Sequence, residues 1–253
     1  TEPTYNGAGN ANDYIFIGWD PLPENITADT DCVAQYQFVG MYYRQFLTDT
    51  LSYYEDTNGL TSIGEYAFAG LTNLQSVSMP DLTSVPMGGF IGTTNLSSVS
   101  LPSVLATNAY AFGYNQALEA LSLPSLTLLN DSPLVQNMTG LKELRLPKNT
   151  SSLSSMISGS SNIEFIDAGV TTTIGINLSG TYYKKLTYLI LRNESAVATP
   201  YSSTIFNSAS PLGSGEGLVL VPRSMVSNYK ADSAWGAYAA QIKAIEDYPD
   251  ICG

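Results

Sequence analysis

The chain has 253 residues, of which only 13% are charged, and it carries a net charge of −12 and no histidine. The absence of histidine excludes Ser-His-Asp and Cys-His catalysis as well as histidine-based metal sites. The ten lysines and arginines are scattered along the chain, whereas nucleic acids and anionic membranes need clustered basic side chains. We therefore expect no nucleic-acid partner. We expect no membrane insertion either, because no apolar run approaches the ~20 residues of a membrane span.

The N-terminal region precedes the regular part of the sequence. Residues 1–12 are predicted to be disordered. Two strands are predicted around a proline-rich connection, one from Tyr14 to Trp19 and one from Cys32 to Phe38. Residues 40–54 are expected to form a helix, or a helix followed by a strand, that covers the start of the repeat region.

A repeat of 22 residues begins at Leu60. The segment LTSIGEYAFAGLTNLQSVSMPD, residues 60–81, is followed by two similar segments over residues 82–103 and 104–125. A fixed period of this length indicates a solenoid in which each repeat packs on its neighbours. The same apolar column continues at steps of 22 or 23 residues through Leu74, Leu96, Leu118, Leu141, Ile163 and Leu186.

The local pattern L-x-x-L-x-L-P predicts one strand in each coil. Since side chains alternate along a strand, the apolar residues of L-x-L share one face, and equivalent strands of successive coils pair in a parallel sheet. The proline has no N–H to donate and ends the strand. A second column, Phe68, Phe90 and Phe112, is expected to fill the interior. A 22-residue coil is short for a full return helix, so short helical or 3₁₀ turns are expected on the convex side.

The segment LTSIGEYAFAGLTNLQSVSMP resembles the BspA-type, or Treponema pallidum-type, leucine-rich repeats of bacterial surface proteins. The resemblance covers about residues 60–222, although the Ala-Phe signature is lost between residues 126 and 180. It implies an α/β solenoid. In this fold a right-handed stack has one parallel sheet on its concave face, an irregular or short-helical convex side, and a cap at both ends. A parallel β-helix is the alternative fold.

Both ends of the chain carry further resemblances. The segment DYIFIGWDPLPENITADTDCVAQY is similar to the end of the Listeria–Bacteroides surface repeat, which implies the remainder of a neighbouring domain or a small β cap. The segment LVLVPRSMVSNYKADSAWGAYAAQIKAIEDYP is similar to the C-terminal part of BspA-type proteins, which implies a cap over the last coil. We expect Trp235 to pack there, with a functional role as the alternative. The predicted apolar helical face consists of Met225, Tyr229, Trp235, Tyr238, Ile242 and Ile245.

These patterns divide the chain into three parts. Residues 1–58 form an N-terminal segment and cap, residues 59–222 the solenoid, and residues 223–253 a helical cap and tail. Cys32 and Cys252 then lie at opposite ends of the solenoid, whereas a disulfide needs Cα atoms within about 7 Å of each other. We therefore expect two unpaired thiols, or contacts between molecules.

The outward-facing strand residues change in character along the stack. They are small in the first three coils and become charged, aromatic and aliphatic in the later ones. Aromatic residues and arginine are enriched at protein-binding hot spots, so the later coils predict a ligand-facing patch. The alternatives are that a convex loop or the C-terminal cap covers the apolar end, or that the register slips in the degenerate coil. Tyr182 and Tyr183, in a loop between coils, serve either recognition or packing. The predicted patch consists of Glu143, Arg145, Phe165, Asp167, Tyr188 and Ile190.

The sequence predicts a binding module and not an enzyme. No serine has a partner that could activate it as a nucleophile, and no cofactor motif is present. Asp20, Glu24, Asp29 and Asp31 could form a weak oxygen site for Ca²⁺, but they lack the EF-hand spacing, and we predict no metal. We expect a monomeric module, extracellular or at a cell surface, that binds a protein ligand from a host or a bacterial surface. A display domain of a phage tail or long surface protein is the alternative, and glycan binding through tyrosine-rich patches is a third.

Overall fold

The chain coils into a solenoid of parallel strands. Its concave face is made of one short strand per coil, and alternate residues of the strands point inward: Val77, Leu144 and Leu189, for example, are at most 2% exposed. The computed structural model describes residues 14–20, 33–38, 51–56, 59–129, 133–153, 157–180 and 183–252. The concave strands are β3 (Tyr53–Glu55), β4 (Ser76–Ser78), β6 (Ser98–Ser100), β8 (Ala120–Ser122), β11 (Glu143–Arg145), β13 (Phe165–Asp167), β15 (Tyr188–Ile190), β17 (Leu218–Val221) and β18 (Ile242–Ala244).

Equivalent residues of successive coils are paired in register. Glu143 pairs with Phe165, and Phe165 in turn pairs with Tyr188. The strand order is β3-β4-β6 in one sheet and β8-β11-β13-β15-β17-β18 in the next, and β6 also contacts β8. The predicted register of the repeat is therefore confirmed, including its degenerate coil around Ile166.

The return side of the coils carries a second set of short parallel ladders, which the sequence did not predict. In the first three coils it is built from hydrogen-bonded turns and short strands, without the expected helical turns. The N–H of Phe68 donates to the Gly89 carbonyl at 2.9 Å and that of Phe90 to the Ala111 carbonyl at 2.8 Å, so these bonds run from coil to coil. The strands are β5 (Ser84–Val85), β7 (Ala106–Thr107) and β9 (Leu128–Leu129), then β10 (Val135–Gln136) with β12 (Ile157–Ser158), and β14 (Thr173–Ile174) with β16 (Thr199–Pro200).

The expected phenylalanine column fills the interior of the first coils. The rings of Phe68 and Phe90 stack with centroids 5.0 Å apart, and those of Phe90 and Phe112 stack at 5.3 Å. Tyr54 of β3 closes the column with an edge contact to Phe68 at 5.0 Å. A small residue precedes each ring. At Gly89 an added side-chain carbon would lie 2.9 Å from Val85 Cγ1, so the neighbouring core leaves little space for a larger residue there.

The C-terminal region caps the last coil, but not as one helical face. Helix α1 (Pro211–Ser214) is set by its sequence: the Ser210 hydroxyl accepts the Gly213 N–H at 3.0 Å, and Gly215 ends the helix with φ 97°. Helices α2 (Val226–Ala231) and α3 (Pro249–Cys252) follow. Between α2 and α3, Ile242 lies in β18, so the prediction that it continues a helical face is wrong. Pairing with β17 satisfies the edge of the sheet, which a helix could not do.

The N-terminal region contains the two predicted strands. They are β1 (Tyr14–Asp20) and β2 (Val33–Phe38), which pair antiparallel. The expectation for residues 1–12 lies outside the described residues, and so do Cys32 and residues 40–50 of the predicted helix. The end of that segment is described, and it lies in strand β3, as in the helix-then-strand alternative. Among the described residues, no helix is long and apolar enough to cross a membrane.

Candidate functional site

The concave face is divided into an exposed half and a covered half. In the exposed half, β4, β6 and β8 present Ser76, Ser98 and Ala120 in one row across the strands. Ser78, Ser100 and Ser122 form the parallel row two residues further along each strand. These side chains are partly or fully exposed, and none reaches far from the backbone. The result is a flat, uncharged floor three coils wide.

The covered half lies under the C-terminal segment, defined as residues 245–252. Phe165, Ile190, Leu220 and Cys252 form a buried apolar cluster that is separate from the main core, with Phe165 only 7% exposed. Five partly buried residues pack against the cluster. They are Tyr188 and Leu218 on the sheet and Ile245, Tyr248 and Ile251 on the segment.

Two arginines fasten the segment to the sheet. Arg192 pairs with Asp167 at 2.7 Å and donates from the same Nη2 to the carbonyl of Cys252 at 2.6 Å. Arg145 donates to the carbonyl of Ile251 at 3.0 Å, and its guanidinium lies 4.1 Å from the centre of the Phe165 ring. Two peptide carbonyls of the segment thus receive charge-assisted hydrogen bonds.

The predicted ligand-facing patch is therefore split. The side chains of Glu143 and Arg145 remain 36% and 27% exposed, whereas Phe165, Asp167 and Ile190 are buried. Their outward register was predicted correctly, but the segment that covers them lies more than 50 residues away in sequence. Binding through these six residues stays a prediction. The sequence did not predict that Arg192 is the partner of Asp167. Arg192 occupies the position where the earlier coils have proline.

Three aromatic residues singled out in the sequence serve packing. Trp235 is fully buried, and its indole N–H donates to the Ala198 carbonyl at 2.6 Å. The Tyr229 hydroxyl accepts the Ala198 N–H at 2.9 Å, and burial raises the pKa of Tyr229 to about 12. The Tyr183 hydroxyl donates to the Ile157 carbonyl at 2.8 Å, and burial likewise raises the pKa of Tyr183 to about 12. Tyr182 lies outside the described residues.

The remaining polar chemistry of the described residues is sparse. The thiol of Cys252 is unpaired and buried, and its burial raises the thiol pKa, which disfavours a reactive thiolate. No group of three acidic or cysteine residues in the described ranges could hold a metal ion. The acidic residues between Asp20 and Asp31 that suggested a Ca²⁺ site have no described side chains.

A groove of about 460 Å³ lies beside β18 and carries several of the basic residues. Arg223, Lys230 and Lys243 line it together with Asp247. Arg223 donates to Asp247 at 2.6 Å, and the backbone N–H of Arg223 donates to the Glu246 carboxylate. The carboxylates of Asp247 and Glu246 therefore offset much of the positive charge, and the groove does not resemble an anion-binding site.

Comparison with known proteins agrees with the repeat architecture. The model of the BspA type leucine rich repeat region matches residues 41–175, more than half of the chain, with six copies. No curated protein matches the chain. A solved structure of a leucine-rich repeat protein from Bacteroides ovatus ATCC 8483 is similar at 15% identity and a TM-score of 0.42, over 67% of this chain and 39% of that one. This chain thus spans about two fifths of that protein. By its repeats, the chain belongs to the BspA-type leucine-rich-repeat family.

Proposed function

We propose that the chain is a non-catalytic module that binds a protein ligand on the exposed half of its concave face. The observation that carries the proposal is the contrast between the two halves of one sheet. Ser98, Ser100 and Ser122 stay open, whereas the fold covers the apolar half with its own C-terminal segment. Membership of a leucine-rich-repeat family supports a role in protein interaction.

The shape of the exposed floor suits a rigid ligand surface. Short side chains let a partner approach the sheet closely, and serine hydroxyls both donate and accept hydrogen bonds. Arg145 borders the floor, and contacts with Phe165 and Ile251 hold its guanidinium in place. A partner that contacts this arginine does not have to order a flexible side chain, which lowers the entropic cost of binding.

The proposal includes an extracellular or cell-surface location. Its support is the resemblance of the repeats to those of bacterial surface proteins. In that setting the module would contact proteins of a host or of another bacterial surface.

The test is a solid-phase binding assay on purified extracellular-matrix proteins and on bacterial surface extracts. Ser98→Arg combined with Ser100→Arg would place two long charged side chains on the exposed half of the concave face and block close approach to it. We expect this variant to lose binding by about tenfold or more, which corresponds to about 1.4 kcal/mol. Ser203→Arg, at an exposed serine outside the concave strands, is the matched control and should bind as the unaltered chain does.

Two results would contradict the proposal. The first is the absence of saturable binding to any of these proteins. The second is saturable binding that Ser98→Arg and Ser100→Arg leave unchanged, because the ligand would then occupy another surface. Urea unfolding of both variants shows whether a loss of binding reflects a loss of folding.

A further inference from the structure

Three exposed tyrosines stand on the convex turns of the first and third coils. Tyr66, Tyr110 and Tyr114 are 42%, 37% and 42% exposed. Of the eight large exposed apolar or aromatic side chains in the described residues, six lie between residues 66 and 128. Such a concentration on one stretch of a repeat protein indicates a binding surface, since single exposed side chains would be scattered.

The backbone at these tyrosines is one that glycine adopts at equivalent positions. Tyr66 and Tyr110 have φ of 59° and 56°, and Gly88, at the same position in the coil between them, has φ 59°. Tyr114 has φ 61° and follows Gly92, with φ 69°, in its own column. The left-handed conformation is costly for residues with a side chain. Tyrosine at these positions makes the fold less stable than glycine would, but it places an aromatic ring at the surface.

The ring of Tyr66 packs against the next coil. A side-chain carbon on Gly88 would lie 2.4 Å from Cε1 of Tyr66, so the Tyr66 ring rests directly against the Gly88 backbone of the next coil. A ring held in this way keeps one face against the protein and the other toward solvent. Tyr66 and Tyr110 are two coils apart, about 10 Å at the usual spacing between strands.

The surface around the rings is almost free of charge. Between Leu60 and Leu118 only Glu65 and Asp81 are charged, although the whole chain carries −12. The polar residues of this stretch are mainly serine, threonine and asparagine. A surface without clustered charge does not attract an ionic polymer, and it loses little when it is desolvated against a neutral ligand.

From these observations we propose that Tyr66, Tyr110 and Tyr114 form a binding platform for a neutral polysaccharide. A sugar ring has an apolar C–H face and an edge of hydroxyl groups. An exposed tyrosine offers the complementary surfaces, a flat apolar ring and a hydroxyl that donates and accepts. The platform lies on the convex turns, so it is separate from the concave site proposed for a protein ligand, and either can fail without the other.

The experiment uses the full chain in native gels that contain a neutral β-glucan, a neutral α-glucan, a mannan or the anionic polymer dextran sulfate. The variant replaces Tyr66, Tyr110 and Tyr114 together with glycine. Glycine suits their positive φ, so the variant is expected to retain its cooperative unfolding transition. Tyr201→Ser is the control, because Tyr201 is the most exposed tyrosine among the described residues, at 65%, and lies in another coil.

We expect at least one neutral polysaccharide to retard the unaltered chain and the control. In the triple variant the affinity should fall by about tenfold or more, which equals about 1.4 kcal/mol. Two outcomes would overturn the proposal. The first is that no neutral polymer retards the unaltered chain, including the case in which dextran sulfate alone does so. The second is that the neutral polymers retard the triple variant as strongly as the unaltered chain.

Discussion

The ion pair between Arg192 and Asp167 gives a sharp test of how the C-terminal segment is held. Asp167 is 1% exposed, and the side chain of Arg192 is 22% exposed. Arg192→Met removes the three hydrogen bonds to the carboxylate and the bond to the Cys252 carbonyl, and it leaves a buried charge without its partner. Breaking a buried pair in this way costs about 3–5 kcal/mol, and the partial exposure of Arg192 favours the lower end, about 3 kcal/mol.

The assay is urea unfolding followed by tryptophan fluorescence. With an m value of about 3 kcal/mol/M, a loss of about 3 kcal/mol lowers the midpoint by about 1 M. Adding Asp167→Asn to Arg192→Met should restore part of the stability, because the neutral amide is cheaper to bury than the unpaired carboxylate. Hydrogen exchange within residues 245–252 should become faster in Arg192→Met, since the segment loses a fastening bond.

The matched control is Arg223→Met. Arg223 and Asp247 are as close, 2.6 Å, but their side chains are 60% and 54% exposed, so water screens the pair. The reasoning is refuted if Arg192→Met loses no more stability than Arg223→Met. It is also refuted if the added Asp167→Asn gives no recovery, because the penalty would then not come from a buried unpaired carboxylate.

Three further predictions concern the interior. Phe90→Ala should lower the free energy of unfolding by about 3–5 kcal/mol in urea melts, because its ring lies between two stacked phenylalanines; a loss below about 1 kcal/mol would contradict this packing. Tyr183 and Tyr229 should resist ionisation, followed by ultraviolet absorbance, until the pH approaches 12, since burial raises the pKa of each to about 12. Unfolded tyrosine titrates near 10, and a higher pKa in the folded state means that the neutral phenol favours folding. This contribution to the free energy of unfolding is fully present below about pH 10 and is lost as the pH rises from about 10 to 12. Gly169→Ala should destabilise the chain far more than Gly215→Ala. Both have positive φ, but the added carbon meets backbone atoms at 2.4–2.7 Å only at Gly169; equal losses of stability would contradict the steric argument.

Much of the fold followed from the period of the sequence. Leu121 and Leu144 lie one period apart and are paired in the structure, because each strand of a solenoid contacts its counterpart in the next coil. The inward direction of the phenylalanine column followed from the same logic. The second ladder on the return side was missed, since two-residue strands such as Ser84–Val85 leave no alternation to detect.

The sequence alone could not decide which part of the concave face is open. It placed Phe165, Asp167 and Ile190 correctly on that face, because the alternation within each strand determines the direction of a side chain. Their burial depends on bonds such as Arg145 to Ile251 and Arg192 to Cys252, which join residues 106 and 60 positions apart. No repeat relates these partners, and only the return of the C-terminal segment brings them together. The period thus determined the direction of each side chain, and the tertiary structure decided which of them a ligand can reach.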